Sequence, residues 1–114
     1  MSNVNLRVPA FSTFGVDRHH VGLGQRFVFA GRLKGCCIPK GGVPIQVEGR
    51  DFGTHWIPVS SAAHLHTGSD GRWRFAFSVN RGGRFTYPFR LAVLGNPLYP
   101  YLPADTKPTL VTVG

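Results

Sequence analysis

The sequence predicts an all-β sandwich or barrel, and three observations predict it. Apolar residues recur at every second position in one segment after another, while helical periodicity is nearly absent. Fifteen glycines and nine prolines separate those segments at short intervals and form no low-complexity block. Hydrophobic residues make up 42% of the chain and charged ones only 16%, the balance of a folded domain, and 114 residues suffice to bury one core.

Taken in order, "VNLRVPAFSTF" reads as an opening edge strand broken by Pro9. "QRFVFAGRL" follows, with Phe27, Phe29 and Leu33 on one face, Gly31 in register with them, and Val28, Ala30 and Arg32 on the other. The loop "KGCCIPKGG" leads to "VPIQVEGRD", where Val43, Ile45 and Val47 point one way and Gln46, Glu48 and Arg50 the other. "HWIPVSSAAHLHT" alternates less cleanly and reads as two short strands with a bend. "SDG" is a tight turn, because Asp-Gly accepts positive φ. After the turn "NRGGR", "FTYPFRLAVLG" aligns Tyr87, Phe89, Leu91 and Val93. Pro88 lacks an N–H, so either it faces a sheet edge or pairing starts after it. "NPLYPYLPADTKP" is an extended crossing and "TLVTV" the closing strand, which makes seven or eight strands in all.

The stretch "TGSDGRWRFAFSVN" poses the main question of function. A sheet that reads nucleic acid presents aromatics and cations on one exposed surface. Here alternation puts Trp73, Phe75, Phe77 and Val79 on one face, and Arg72, Arg74, Ala76, Ser78 and Asn80 on the other. Burying each ring contributes about 1.5–3 kcal/mol, well above an exposed charge contact. The expectation is therefore rings inward and guanidinium groups outward.

The succession "GLGQRFVFAGRL", "GGVPIQVEGRD", "HWIPV", "TGSDGRWRFAF", "YPFRLAV" and "TLVTV" resembles the immunoglobulin-like, carboxypeptidase-regulatory or transthyretin-like sandwich modules of bacterial exported and cell-surface proteins. The resemblance spans residues 22–113. It implies a single immunoglobulin-like antiparallel β-sandwich, a core over 22–114 preceded by an N-terminal edge strand and extended segment over 1–21. It also implies a non-catalytic spacer or adhesive role. The matching residues Gly24, Gly31, Pro44, Asp70, Gly71, Phe75, Tyr87, Phe89 and Arg90 fix turns and core in such modules. Cys36-Cys37 and Pro88 depart from the pattern.

Thirteen Lys and Arg against five Asp and Glu give a formal charge of +8, which favours anionic partners. The cations are dispersed. Arg72, Arg74, Arg81, Arg84 and Arg90 are the candidate anion-binding face, with an anionic polysaccharide preferred over nucleic acid as its polymer. Cys36 and Cys37 are adjacent, and Cα atoms about 3.8 Å apart fall below the usual disulfide range of about 4.4–6.8 Å. The two thiols are accordingly candidates for intermolecular disulfides in an oxidising setting, or free thiols in a reducing one. His64 and His66 would project from one strand face, but no zinc-site spacing accompanies them, so no metal and no cofactor is expected. Tyr99 and Tyr101 are candidates for an exposed contact surface, while Leu98 and Leu102 are expected to cover the end of the sandwich.

No nucleophile elbow, paired-acid constellation or phosphate loop occurs, so the expectation is a protein without enzymatic activity. Its partners would be other proteins, neighbouring domains or copies of itself. The apolar segment before residue 22 could add to a neighbour's sheet edge. No apolar leader opens the chain and no run reaches membrane-span length. An extracellular or cell-surface site is expected for an excised module, with a cytoplasmic one left open.

Overall fold

The computed structural model describes residues 8–50, 55–59, 65–80, 82, 84–95 and 97–114, and every regular element among them is a strand. Nine strands are present: β1 (Gly15–Val16), β2 (His20–Val21), β3 (Phe27–Arg32), β4 (Ile45–Gly49), β5 (Ile57–Pro58), β6 (Arg72–Phe77), β7 (Phe85–Val93), β8 (Ala104–Asp105) and β9 (Thr109–Val113). One sheet has the order β1-β3-β6; the other runs β2-β9-β7-β4-β5, with β8 beside β7. This is an all-β sandwich of two sheets. None of the described residues forms a helix long and apolar enough to cross a membrane.

Alternation places the core. Phe27, Phe29, Val43, Ile45, Val47, Leu91, Val111 and Val113 are wholly buried, while most of their sequence neighbours face outward or lie at the margin, Gly42 and Ala92 excepted. The sheets meet through aromatic rings: Phe29 and Phe89 have centroids 4.9 Å apart, and Phe27 meets Phe89 at 5.8 Å. Trp73 is only 6% exposed, and Phe75 and Phe77 pack against the core half-buried. Arg72 and Arg74 stand in solvent. The rings of β6 thus look inward and its guanidinium groups outward.

Three details differ from the pattern read along the chain. The opening strand is divided: residues 8–13 make only isolated bridges, Pro9 to Leu102 and Ser12 to Leu33, and regular pairing begins at Gly15. β1 then joins β3, while β2 crosses to the other sheet. Because the chain crosses without reversing, β2 runs parallel to β9, the single parallel pair among strands otherwise antiparallel. This division and the short β8 bring the count among the described residues to nine, against the seven or eight expected.

Pro88 sits in a central strand, and pairing with β9 continues on both sides of it. In an antiparallel ladder a residue's N and C=O face the same neighbour. The Pro88 carbonyl accepts from the Arg50 N–H at 3.1 Å, so its nitrogen also faces Arg50, where β4 has already ended. The missing N–H leaves that pair with one bond instead of two, at the end of β4 rather than within it.

The turn after His66 is as the Asp-Gly pair requires. Gly71 takes φ 88°, and the Asp70 carboxylate accepts the Arg72 N–H at 3.0 Å. Close packing accounts for Gly31 instead: a Cβ there would stand 2.0 Å from the Thr13 carbonyl oxygen and 2.8 Å from Trp73 Cζ2.

Candidate functional site

Three exposed arginines, Arg32, Arg72 and Arg74, stand on one face of β3 and β6. Their register sets Ala30 opposite Arg74 and Arg32 opposite Arg72. Like charges directly across a ladder repel. Asp70 relieves part of this: its carbonyl accepts the Arg32 Nε–H at 3.0 Å, and its carboxylate lies 3.7 Å from Arg72 Nε. Around these cations runs a groove of about 840 Å³, floored by Val28, Ala30 and Gly31 and bounded by β1 and Asp17. The Asp17 carboxylate accepts the Val28 N–H at 2.8 Å.

The arginines singled out from the sequence do not form one face. Arg72 and Arg74 share it, and Arg32, outside the sequence-based set, completes it. Arg90 belongs to the other sheet and is half-buried. Its Nε donates to Glu48 at 2.7 Å, Nη1 lies 3.4 Å from Asp105, and the guanidinium sits 4.4 Å from the Trp56 ring centroid. Arg50 lies over the same ring at 5.1 Å. Arg90 thus holds β7 to β4 and β8 and is removed from the anion-binding set. Arg84 is exposed in the turn before β7, and Arg81 lies outside the described residues. Alternation could have flagged Arg32; only the pairing register could place it against Arg72.

The loop after β3 overturns a second expectation. Cys36 and Cys37 are joined to each other in a vicinal disulfide, where an intermolecular bridge or free thiols were the candidates. The physical reason lies in the backbone: Cys37 adopts φ 70°, a left-handed conformation rare outside glycine. The usual Cα separation rule assumes residues remote in sequence, so it does not forbid a ring closed through the connecting peptide itself.

Tyr99 and Tyr101 hold this loop rather than both facing solvent. Tyr99 is 3% exposed and its hydroxyl donates to the Lys34 carbonyl at 2.9 Å. Burial, and then the neighbouring Tyr101, push its phenol above the ordinary value of 10.0. Tyr101 is half-buried, and its hydroxyl accepts the Cys36 N–H at 3.3 Å. Leu98 and Leu102, expected to cover the end of the sandwich, are instead 74% and 46% exposed. The inversion follows from hydrogen bonding. The Tyr99 hydroxyl can be buried because the Lys34 carbonyl accepts from it, and the two phenols tie the loop by bonds that leucine cannot make.

His66 is exposed on the bridge to Pro44, and His64 lies outside the described residues. Among the described residues no three of His, Cys, Asp and Glu gather as a metal site.

Comparison with family models and with curated proteins returns no match. Among solved structures, the PKD domain of an M14-like peptidase from Thermoplasmatales archaeon SCGC AB-540-F20 is similar to this chain at 10% identity. That likeness covers 92% of each chain with a TM-score of 0.42. The sandwich assignment stands on the strand pairings themselves.

Proposed function

We propose that the chain is a non-catalytic structural or adhesive module of an exported or cell-surface protein, of the carboxypeptidase-regulatory or transthyretin-like kind. In this reading it works through contacts with neighbouring domains or copies of itself. The observation that carries the proposal is an apolar patch where residues 8–11 meet the 97–103 crossing. The Ala10 N–H donates to the Leu102 carbonyl and the Leu102 N–H to the Val8 carbonyl, a register that sets Pro9, Phe11 and Leu102 on one face, all three exposed. Contiguous exposed apolar groups mark contact surfaces more often than isolated ones do.

Residues 8–13 are already paired within their own chain, through Ala10 to Leu102 and Thr13 to Arg32. Adding this segment to a neighbour's sheet would require exchange of that pairing, so association by side-chain contact is the reading favoured here. The polar side chains nearest the core also serve the scaffold: Thr67 Oγ1 accepts the Val43 N–H and Thr106 Oγ1 the Leu91 N–H.

Sedimentation of the chain with and without a dithiol reductant tests the proposal. Self-association that ignores reductant and falls on Phe11→Ser with Leu102→Ser is the expected result. A strict monomer at millimolar concentration rejects self-association through this patch.

A further inference from the structure

We propose that the outer face of the β1-β3-β6 sheet binds a sulfated polysaccharide, with Arg32, Arg72 and Arg74 as the residues that hold it. Each guanidinium is exposed, and the three border one groove. Arg74 has no carboxylate partner among the described residues, and Arg32 is anchored only through Nε, to a carbonyl. That bond uses Nε alone, and Arg32 is exposed. Asp70 offsets only part of the repulsion between Arg32 and Arg72, opposed in register, and an anion between them relieves the rest.

Charge complementarity names an anionic occupant, and the rest of the face names its class. Trp73 lines the groove but is only 6% exposed and stacks on Phe14, and the other rings of β3 and β6 pack towards the core, so the groove offers no open ring face on which a base could stack. A compact sulfate needs no such platform: it takes the planar fork of arginine through paired N–H···O bonds. Val28, Ala30 and Gly31 give a low, apolar floor on which the C–H face of a pyranose can rest. Asp17 is the one carboxylate lining the groove, and its Oδ1 is engaged by the Val28 N–H. Nucleic acid shares the charge but lacks its stacking partner here.

The inference goes beyond the structural role proposed above. Retention of the chain on a matrix reports this face whether or not the patch around Phe11 associates, and sedimentation run in parallel separates the two.

The test uses the full chain on immobilised heparin over a salt gradient, with single-stranded oligothymidine of matched charge as competitor. Arg72→Gln with Arg74→Gln is compared with Lys40→Gln plus Lys107→Gln, which removes the same charge from exposed positions away from the groove. Unchanged melting of both pairs establishes that they fold. Retention at about 0.15 M salt is expected, with affinity falling roughly tenfold or more for the arginine pair. The lysine pair should lose less than about twofold, as rim charges do. Equal losses in both pairs, absence of retention, or tighter binding of the oligonucleotide overturns the proposal.

Discussion

The indole N–H of Trp73 donates to the hydroxyl of Ser12 at 3.0 Å, across 61 residues of chain, and both residues are buried. Ser12 in turn donates to the Thr13 carbonyl at 2.9 Å, and the Trp73 ring stacks on Phe14 with centroids 5.8 Å apart. The segment before β1 is therefore pinned to the core at its polar and its apolar atoms together. Ser12→Ala strands a buried N–H and should cost about 1–3 kcal/mol in urea unfolding. In a double-mutant cycle, Trp73→Phe should cost less on the Ser12→Ala background than on the parent, because their shared bond is already gone. Strict additivity would contradict the coupling.

Gly31 tests the same junction from the side of β3. A methyl group there meets the Thr13 carbonyl and the Trp73 ring at once, and the carbonyl is backbone with little room to yield. Gly31→Ala should destabilise by about 1–3 kcal/mol or more, as overpacked cores do. Faster amide exchange should appear first at Thr13, whose N–H bonds the Arg32 carbonyl at 3.1 Å, and at Arg32, whose N–H bonds Thr13 Oγ1 at 2.8 Å. Exchange unchanged at both positions would count against this placement of the segment.

Tyr99 makes stability depend on alkaline pH. Burial raises its folded-state value above the 10.0 of an exposed phenol, so above that pH the unfolded chain releases a proton that the folded chain still holds. The unfolded state then binds fewer protons, and unfolding free energy falls with rising pH. The contribution is complete below pH 10 and is lost as pH climbs through the raised value. Tyr99→Phe should cost about 1 kcal/mol at neutral pH, for the bond to Lys34, and should decline less steeply in alkali. Parallel slopes for parent and variant above pH 10 would refute this.

The vicinal disulfide makes a direct chemical prediction. Denatured without reductant, the chain should give no thiol alkylation and run as a single chain on a gel; after treatment with a dithiol, two thiols should be labelled. A reductant-sensitive dimer band would restore the intermolecular bridge in place of the Cys36–Cys37 link.

Period-two alternation by itself determined the β class and the facing of β3, β4, β6 and β7. A strand's two sides are set by neighbouring residues, and burying Phe27, Phe29, Trp73 or Phe89 outweighs any competing use of those rings. Asp70-Gly71 was legible for the same reason, since its turn is a matter of local φ and one short side chain. What only the tertiary structure decided is which distant groups meet. Alternation cannot say that Arg32 opposes Arg72 while Arg90 is taken up by Glu48, Asp105 and Trp56 in the other sheet. Nor can it say that Tyr99 turns inward and Leu98 outward, because the Lys34 carbonyl that satisfies the buried Tyr99 hydroxyl is 65 residues away along the chain. Hydrophobic periodicity is written along one strand, whereas register and hydrogen-bond satisfaction exist only between segments brought together by folding.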